Sequence, residues 1–201
     1  MSFFPEALAI LLLTHVIGDY ALQTDSIYKL KTSGGLFGLA VHVAIHVLIT
    51  GLLLQLGFVQ NWFLLLLLFV LHFLVDLIKL NFNTRYQFLA YVADQVVHIV
   101  CILILFWLFP TTKTLLPQDW LIPFLIYSLI PFATMTIWVW YSEKQRKLRP
   151  DDETILYQGL LGSMKQVSQI TAIPLIVGVA LWFQFQGVPL LELVLDRYNL
   201  F

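Results

Sequence analysis

Charge is what this sequence has least of. Only 11% of its 201 residues are Asp, Glu, Lys or Arg, whereas 60% are apolar. In a soluble domain about a quarter of the residues are charged. A chain this apolar could not cover its surface with polar groups in water. We therefore predict an integral membrane protein, for which the bilayer is the solvent.

Cysteine and net charge are equally sparse. The single cysteine, Cys101, excludes an internal disulfide and a thiolate metal cluster. The formal net charge of −1 gives no indication of a nucleic-acid partner. The N-terminus lacks the basic region and the small-residue cleavage site of a signal peptide, so we expect Met1–Ile10 to begin a retained span.

Long apolar runs predict an all-α, polytopic bundle of about six transmembrane helices. A spanning helix needs about 20 mostly apolar residues. The six candidates cover residues 4–24, 36–58, 62–80, 86–109, 120–141 and 164–185. Pro174 is expected to bend the last one, and residues 151–161 read as an amphipathic helix on the membrane surface. We divide the chain into a four-span core, residues 1–110, and a remainder, residues 111–201, with two further spans and a basic loop.

Basic residues predict the orientation of these spans. Most of them lie in or beside the first, third and fifth links: Lys29, Lys31, Lys79, Arg85, Lys144, Arg146, Lys147 and Arg149. The second link has none, and the fourth has only Lys113. We therefore expect the odd-numbered links to face the cytoplasm and both termini to face outward.

Ionisable residues inside the apolar runs are the exception to this composition. They lie in the first four predicted spans: His15, His42, His46, His72, His98, Asp19, Asp76 and Asp94. Burying an Asp at the bilayer centre costs at least about 2.5–3.5 kcal/mol, so these groups must satisfy one another. Each span carries one pair at a spacing of four residues, which places both side chains on one helix face. The pairs are His15 with Asp19, His42 with His46, His72 with Asp76, and Asp94 with His98.

The alternating direction of the spans predicts two layers. The mid-membrane layer holds His15, His46, His72 and His98, and a layer one turn nearer the cytoplasm holds Asp19, His42, Asp76 and Asp94. Residues 14–19 also resemble 71–76, and residues 41–47 resemble 93–99. We therefore predict two repeated helical hairpins around a central polar site.

Imidazole and carboxylate groups in this pattern indicate a divalent metal site, with Zn²⁺ preferred and Mn²⁺ or Fe²⁺ as alternatives. All eight side chains are candidate ligands, although some carboxylates could instead orient the histidines. Three functions compete. They are a metal-dependent hydrolase, a transporter or sensor of divalent cations or protons, and a structural hydrogen-bond cluster without a ligand.

We favour the hydrolase, acting on a lipid-like or amphiphilic substrate that enters from the cytoplasmic side. A bound metal activates water for attack, and one of Asp19, Asp76 and Asp94 would serve as the general base. Gln23, Asp25 and Lys79 are candidate substrate contacts near the cytoplasmic ends of their spans. A helix cap is the alternative for the first two, and snorkelling to the interface is the alternative for Lys79. Membrane lipid is the expected partner, and the sequence indicates no oligomeric state.

Three motifs resemble a known family. They are LTHVIGDYALQTD over residues 13–25, HFLVDLIK over residues 72–79 and DQVVH over residues 94–98. Together they resemble a bacterial membrane family catalogued as domain of unknown function 3307, over about the first 110 residues. The resemblance implies a protein of the bacterial inner membrane and implies no activity.

Overall fold

The computed structural model describes residues 6–54, 57–81, 86–113, 115–116 and 118–148. Within these residues the predicted all-α class is confirmed. A π-helical turn, Ile17–Ala21, continues the first helix. The helices are α1 (Glu6–Val16), α2 (Asp25–Ser33), α3 (Gly35–Leu53), α4 (Gly57–Gln60), α5 (Trp62–Asn81), α6 (Gln87–Leu108) and α7 (Gln118–Leu148).

Several of these helices are suited to a bilayer. Four are long and apolar enough to cross it: Gly35–Leu53, Trp62–Asn81, Gln87–Leu108 and Trp120–Gln145. They correspond to the second to fifth predicted spans, so the chain is a membrane-spanning protein. The predicted sixth span, its bend at Pro174 and the surface helix over 151–161 lie outside the described residues.

The first predicted span is broken rather than continuous. Glu6–Ala21 and Ser26–Ser33 meet at 93° and together could form one further crossing or a re-entrant segment. Thr24 fixes the start of the second part. Its side-chain oxygen accepts a hydrogen bond from the backbone N–H of Ile27 at 3.4 Å and so caps α2. The first link between the predicted spans therefore contains a helix of its own, α2, which folds back against α3.

A close backbone contact holds α2 against α3. A Cβ added at Gly38 would collide with the backbone carbonyl of Leu30, so only glycine allows the two helices to come this near. Lys31 follows Leu30 and is buried. The glycine therefore contributes directly to placing a charged side chain inside the bundle.

We expect Gly38→Ala to push α2 away from α3 and to lower the free energy of unfolding by about 1–3 kcal/mol, the usual cost of overpacking. Thermal unfolding of the detergent-purified protein measures this change. Ala44→Val, on the exposed face of the same helix, is the matched control. Equal destabilisation by both substitutions would contradict the contact.

The bundle has an apolar end and a polar end. Helices α1, α3, α5 and α6 form a ring in which each packs against the next and α6 closes on α1, while α7 packs outside against α1 and α6. Apolar side chains fill one end of the ring: Ile10, Leu13, Leu54, Leu64, Leu68, Ile102 and Leu105. The polar residues of the same four helices occupy the rest of the interior, and large apolar residues such as Leu66 and Leu103 face outward.

The basic segment after the fifth predicted span is helical, which corrects the predicted loop. That span was expected to end at Tyr141, but α7 continues to Leu148. Glu143 explains part of the difference. Its carboxylate accepts a hydrogen bond from the backbone N–H of Phe88 at 2.7 Å, at the start of α6, and pairs with Lys147 at 2.8 Å one turn along α7.

Candidate metal centre

Asp19 lies at the centre of the polar cluster. It belongs to the π-helical turn, where the wider backbone spacing changes the direction of the side chain relative to an α-helix. Its Oδ1 atom lies 3.2 Å from His42 Nε2, 3.2 Å from His46 Nε2 and 3.8 Å from His72 Nε2. Its Oδ2 atom lies 3.7 Å from His15 Nε2. One carboxylate therefore faces imidazoles from three helices.

The five imidazole rings form one contiguous group. His72 connects most of it, with ring centroids 4.0 Å from His46 and 4.4 Å from His98. His15 stacks on His98 at 4.9 Å, and His42 lies 4.9 Å from His46. No ring belongs to a residue more than 6% exposed. The structure thus brings together histidines separated by up to 83 positions in the chain.

Gly18 makes room for this arrangement. A Cβ at position 18 would overlap the ring of His46, so the backbone of the π-helical turn lies directly against that imidazole. The glycine next to Asp19 therefore allows α1 and α3 to approach closely enough for the carboxylate to reach the histidines of α3.

Asp76 forms a second centre beside the first. Its Oδ2 atom lies 3.3 Å from His72 Nε2, 3.5 Å from His42 Nε2 and 2.8 Å from Lys31 Nζ. Both Asp76 and Lys31 are buried. In the sequence, Lys31 contributes only to the predicted orientation of the spans. Its place in this cluster depends on α2 folding back, which no pattern in the sequence indicated.

Asp94 and His98 form the third part of the cluster on α6. The Nδ1 atom of His98 lies 2.9 Å from the backbone carbonyl oxygen of Asp94, which leaves Nε2 directed to the site. Lys79 donates to Asp94 Oδ2 at 2.5 Å, and Gln95 donates to the same oxygen at 3.1 Å. Lys79, on α5, thus forms an ion pair with Asp94 on α6.

All eight predicted ligands fall into groups that could hold a metal ion. In each group one ligand atom per residue lies within 4.8 Å of the others. The groups are His15, Asp19, His46 and His72; His42, His72 and Asp76; and Asp76, Asp94 and His98. His72 and Asp76 are each shared by two groups.

Unpaired nitrogen atoms test whether this donor set fits a metal. The Nε2 atoms of His15, His42, His46, His72 and His98 are buried, and within the described part of the chain none makes a hydrogen bond of good geometry, although carboxylate oxygens lie 3.2–3.7 Å from the first four. Leaving a buried polar group unpaired costs about 1–3 kcal/mol. Neutral imidazole nitrogen beside carboxylate oxygen is a donor set that zinc and related divalent ions accept. The residues therefore fit a metal that would satisfy these atoms.

A cavity of about 650 Å³ adjoins the cluster on the side of the carboxylates. Asp19 and Asp94 reach it from the cluster, and Gln23, Lys31 and Lys79 also line it. Two predicted substrate contacts, Gln23 and Lys79, are thus placed at this cavity. Asp25, the third, begins α2, and its side chain lies outside the described part of the structure.

A tyrosine network beside the cavity was not anticipated from the sequence. Tyr20 donates to Gln95 Oε1 at 3.0 Å and lies 2.7 Å, hydroxyl to hydroxyl, from Tyr91. Gln95 in turn bonds Asp94. The nearest signal in the sequence was that Tyr20 and Gln95 each directly follow a site aspartate.

The motifs that suggested a family resemblance are matched by a family model. That model is described as a protein of unknown function, DUF3307, and it matches residues 7–123. The match covers more than half of the chain and includes all eight predicted ligands. The predicted resemblance is therefore confirmed. No curated protein and no solved structure matches this chain.

Proposed function

The chain belongs to the DUF3307 family, whose description assigns no function, and from the geometry of the site itself we propose that it is a membrane-embedded, metal-dependent hydrolase of a lipid-like or amphiphilic substrate. The observation that carries the proposal is the set of five buried, unpaired Nε2 atoms around three carboxylates. As a purely structural cluster this arrangement would be costly, since each unpaired polar group opposes folding.

Zinc is the proposed metal, with Mn²⁺ or Fe²⁺ as alternatives, and His15, His46 and His72 are the proposed principal ligands. Three protein ligands are what catalytic zinc sites use, because one position stays open. When bound, the metal would activate water and polarise the scissile carbonyl or phosphoryl group. His42, Asp76, Asp94 and His98 would support these ligands or hold a second ion.

Asp19 is the proposed general base. It touches the imidazoles on one side and lines the cavity on the other. Asp76 and Asp94 are instead engaged by the ammonium groups of Lys31 and Lys79, which occupy a carboxylate oxygen of each. Asp19 would accept the proton that water loses as its oxygen bonds to the acyl carbon or phosphorus. It would then return that proton to the leaving oxygen as the ester bond breaks.

The apolar end of the bundle favours hydrolysis over transport. Ile10, Leu13, Leu64 and Leu105 are at most 1% exposed and close the interior above the histidines. An ion crossing there would lose all polar contacts, which is prohibitive in a low-dielectric medium. The cavity on the other side has the size of a small-molecule site, about 300–1,000 Å³.

We also propose the finer arrangement: six spans, the first four as two repeated hairpins, in a bacterial inner membrane with both termini outside. The closed ring of α1, α3, α5 and α6 supports the hairpin pairing, since α1 then lies opposite α5. The ring centroids of His15 and His72 are 5.6 Å apart, as two equivalent inward-facing residues would be. The charge distribution over the links supports the orientation.

Metal analysis of the detergent-purified protein tests the proposal. We expect about one equivalent of zinc per wild-type chain and at least a tenfold lower occupancy in His72→Ala, because His72 belongs to two ligand groups. Val70→Ala, on the lipid-facing side of the same helix, is the matched control and should keep its metal. Metal-free wild type after growth with added zinc, manganese or iron would refute the proposal.

Proteoliposomes separate the hydrolase from the alternative, a divalent-cation or proton transporter or sensor. Zinc uptake into vesicles that is lost in His72→Ala would favour transport and contradict the hydrolase. We expect no uptake, because the apolar end blocks the route.

A further inference from the structure

The cavity beside Asp19 has an uneven lining that indicates what it binds. Its wall is largely apolar, with Val75, Ile78, Leu89, Val97, Met135 and Val139. Polar groups of the metal centre and its lysines line the same cavity: Asp19, Asp94, Lys31 and Lys79. A site of this kind suits an amphiphile, whose chain contacts the wall and whose headgroup reaches the centre.

Two lysines bring positively charged groups to the polar end of the cavity. Lys31 Nζ pairs with Asp76 and Lys79 Nζ pairs with Asp94, and both side chains also line the cavity. An ammonium group has three N–H donors. Each lysine therefore keeps donors for a ligand after binding its carboxylate.

The net charge of the centre indicates which charge a ligand should carry to neutralise it. Asp19, Asp76 and Asp94 contribute −3 and Lys31 and Lys79 contribute +2, so with neutral histidines the cluster carries −1. One divalent metal changes this to +1. A net charge is costly at bilayer depth, and a ligand with a single negative charge would neutralise it.

Gln23 adds an independent indication of a ligand. Its side chain is 8% exposed, lines the cavity, and has a buried Oε1 atom without a partner in the described part of the chain. That oxygen can accept a hydrogen bond from a hydroxyl group of a headgroup. Without such a ligand the buried acceptor opposes folding.

We infer that the substrate is an amphiphile whose headgroup carries one negative charge and a hydroxyl group, bound by Lys31, Lys79 and Gln23. This inference rests on the proposed function, because the metal supplies two of the positive charges in the count. A phospholipid with a glycerol headgroup has this chemistry. Glycerophosphoglycerol, the deacylated form of that lipid, keeps the headgroup and its single negative charge but lacks the acyl chains.

Binding of three probes to the zinc-loaded protein tests the inference. We expect short-chain phosphatidylglycerol to bind at least about tenfold more tightly than short-chain phosphatidylcholine, which is zwitterionic, or than glycerophosphoglycerol, which leaves the apolar wall empty. Equal binding of the two lipids would overturn the inference. Binding of glycerophosphoglycerol as tight as that of phosphatidylglycerol would assign the site to a soluble phosphodiester and would also overturn it.

Substitutions at the lysines connect this selectivity to the residues. Lys31→Met and Lys79→Met should each remove most of the preference for the anionic lipid, whereas Lys31→Arg and Lys79→Arg should keep it. Zinc content, measured on the same samples, separates the two proposals. A wild type that binds none of zinc, manganese and iron defeats the proposed function, whereas metal bound without anionic preference defeats only this inference. Trp107→Ala, on the exposed face of α6, controls for general lipid contact.

Discussion

Asp19→Asn should lower the rate of hydrolysis of an anionic amphiphile by about 10²–10⁴-fold, the usual contribution of a general base. The amide has the shape of the carboxylate and cannot accept the proton from water. We expect kcat to fall with little change in KM, because the cavity wall that binds the chain is untouched. Mass spectrometry of the released fatty acid or phosphorylated headgroup measures the reaction and identifies which bond breaks.

Two comparisons make this result specific to Asp19. Asp94→Asn should cost less, because Asp94 is already engaged by Lys79 and Gln95. Glu143→Gln removes a carboxylate outside the centre and should leave the rate unchanged. If Asp19→Asn keeps the wild-type rate while zinc remains bound, Asp19 is not the base.

Gly18→Ala should weaken zinc-binding about 10–100-fold, although it alters no ligand. That loss of affinity is usual when the contacts that position a metal ligand are removed, and we expect displacement of a ligand to have a similar effect. The added methyl would occupy the position of the His46 ring. The backbone of the π-helical turn cannot yield without moving Asp19, so the imidazole must turn away. Competition with a zinc-binding dye measures the affinity.

Gly51→Ala is the matched control for this substitution. It adds a methyl at another buried glycine, where the neighbour is the Phe58 ring rather than a histidine. We expect it to lower stability and leave the zinc affinity unchanged. Wild-type affinity in Gly18→Ala would mean that His46 does not bind zinc in the position described.

Helix positions followed closely from the sequence. Apolar runs of the required length lie where α3, α5, α6 and most of α7 are found, because the bilayer demands continuous apolar segments whatever their neighbours are. The prediction failed where local chemistry competes with hydropathy. Thr24 caps a new helix inside the expected link, and Glu143 continues α7 because it bonds the start of α6.

For the candidate site, the sequence predicted which side chains take part but not which of them are in contact. A spacing of four residues places His72 and Asp76 on one face of α5 in any helical structure, and the cost of burying such pairs requires that they face one another. Which pairs touch is another matter. Lys79 lies i+3 from Asp76, yet it reaches Asp94 on a neighbouring helix.

By itself, therefore, the sequence determined that this chain is a membrane protein and which segments form the spanning helices. It also determined which polar side chains those helices direct inward. These properties follow from hydropathy and from helical periodicity. Only the tertiary structure decided that Asp19 stands among imidazoles from three helices, that Lys31 returns to the centre on α2, and that a cavity opens beside them. Those features depend on a π-helical turn, a 93° break and two glycine contacts. Each is a matter of which surfaces pack together, and packing between distant segments leaves no periodic trace in the chain.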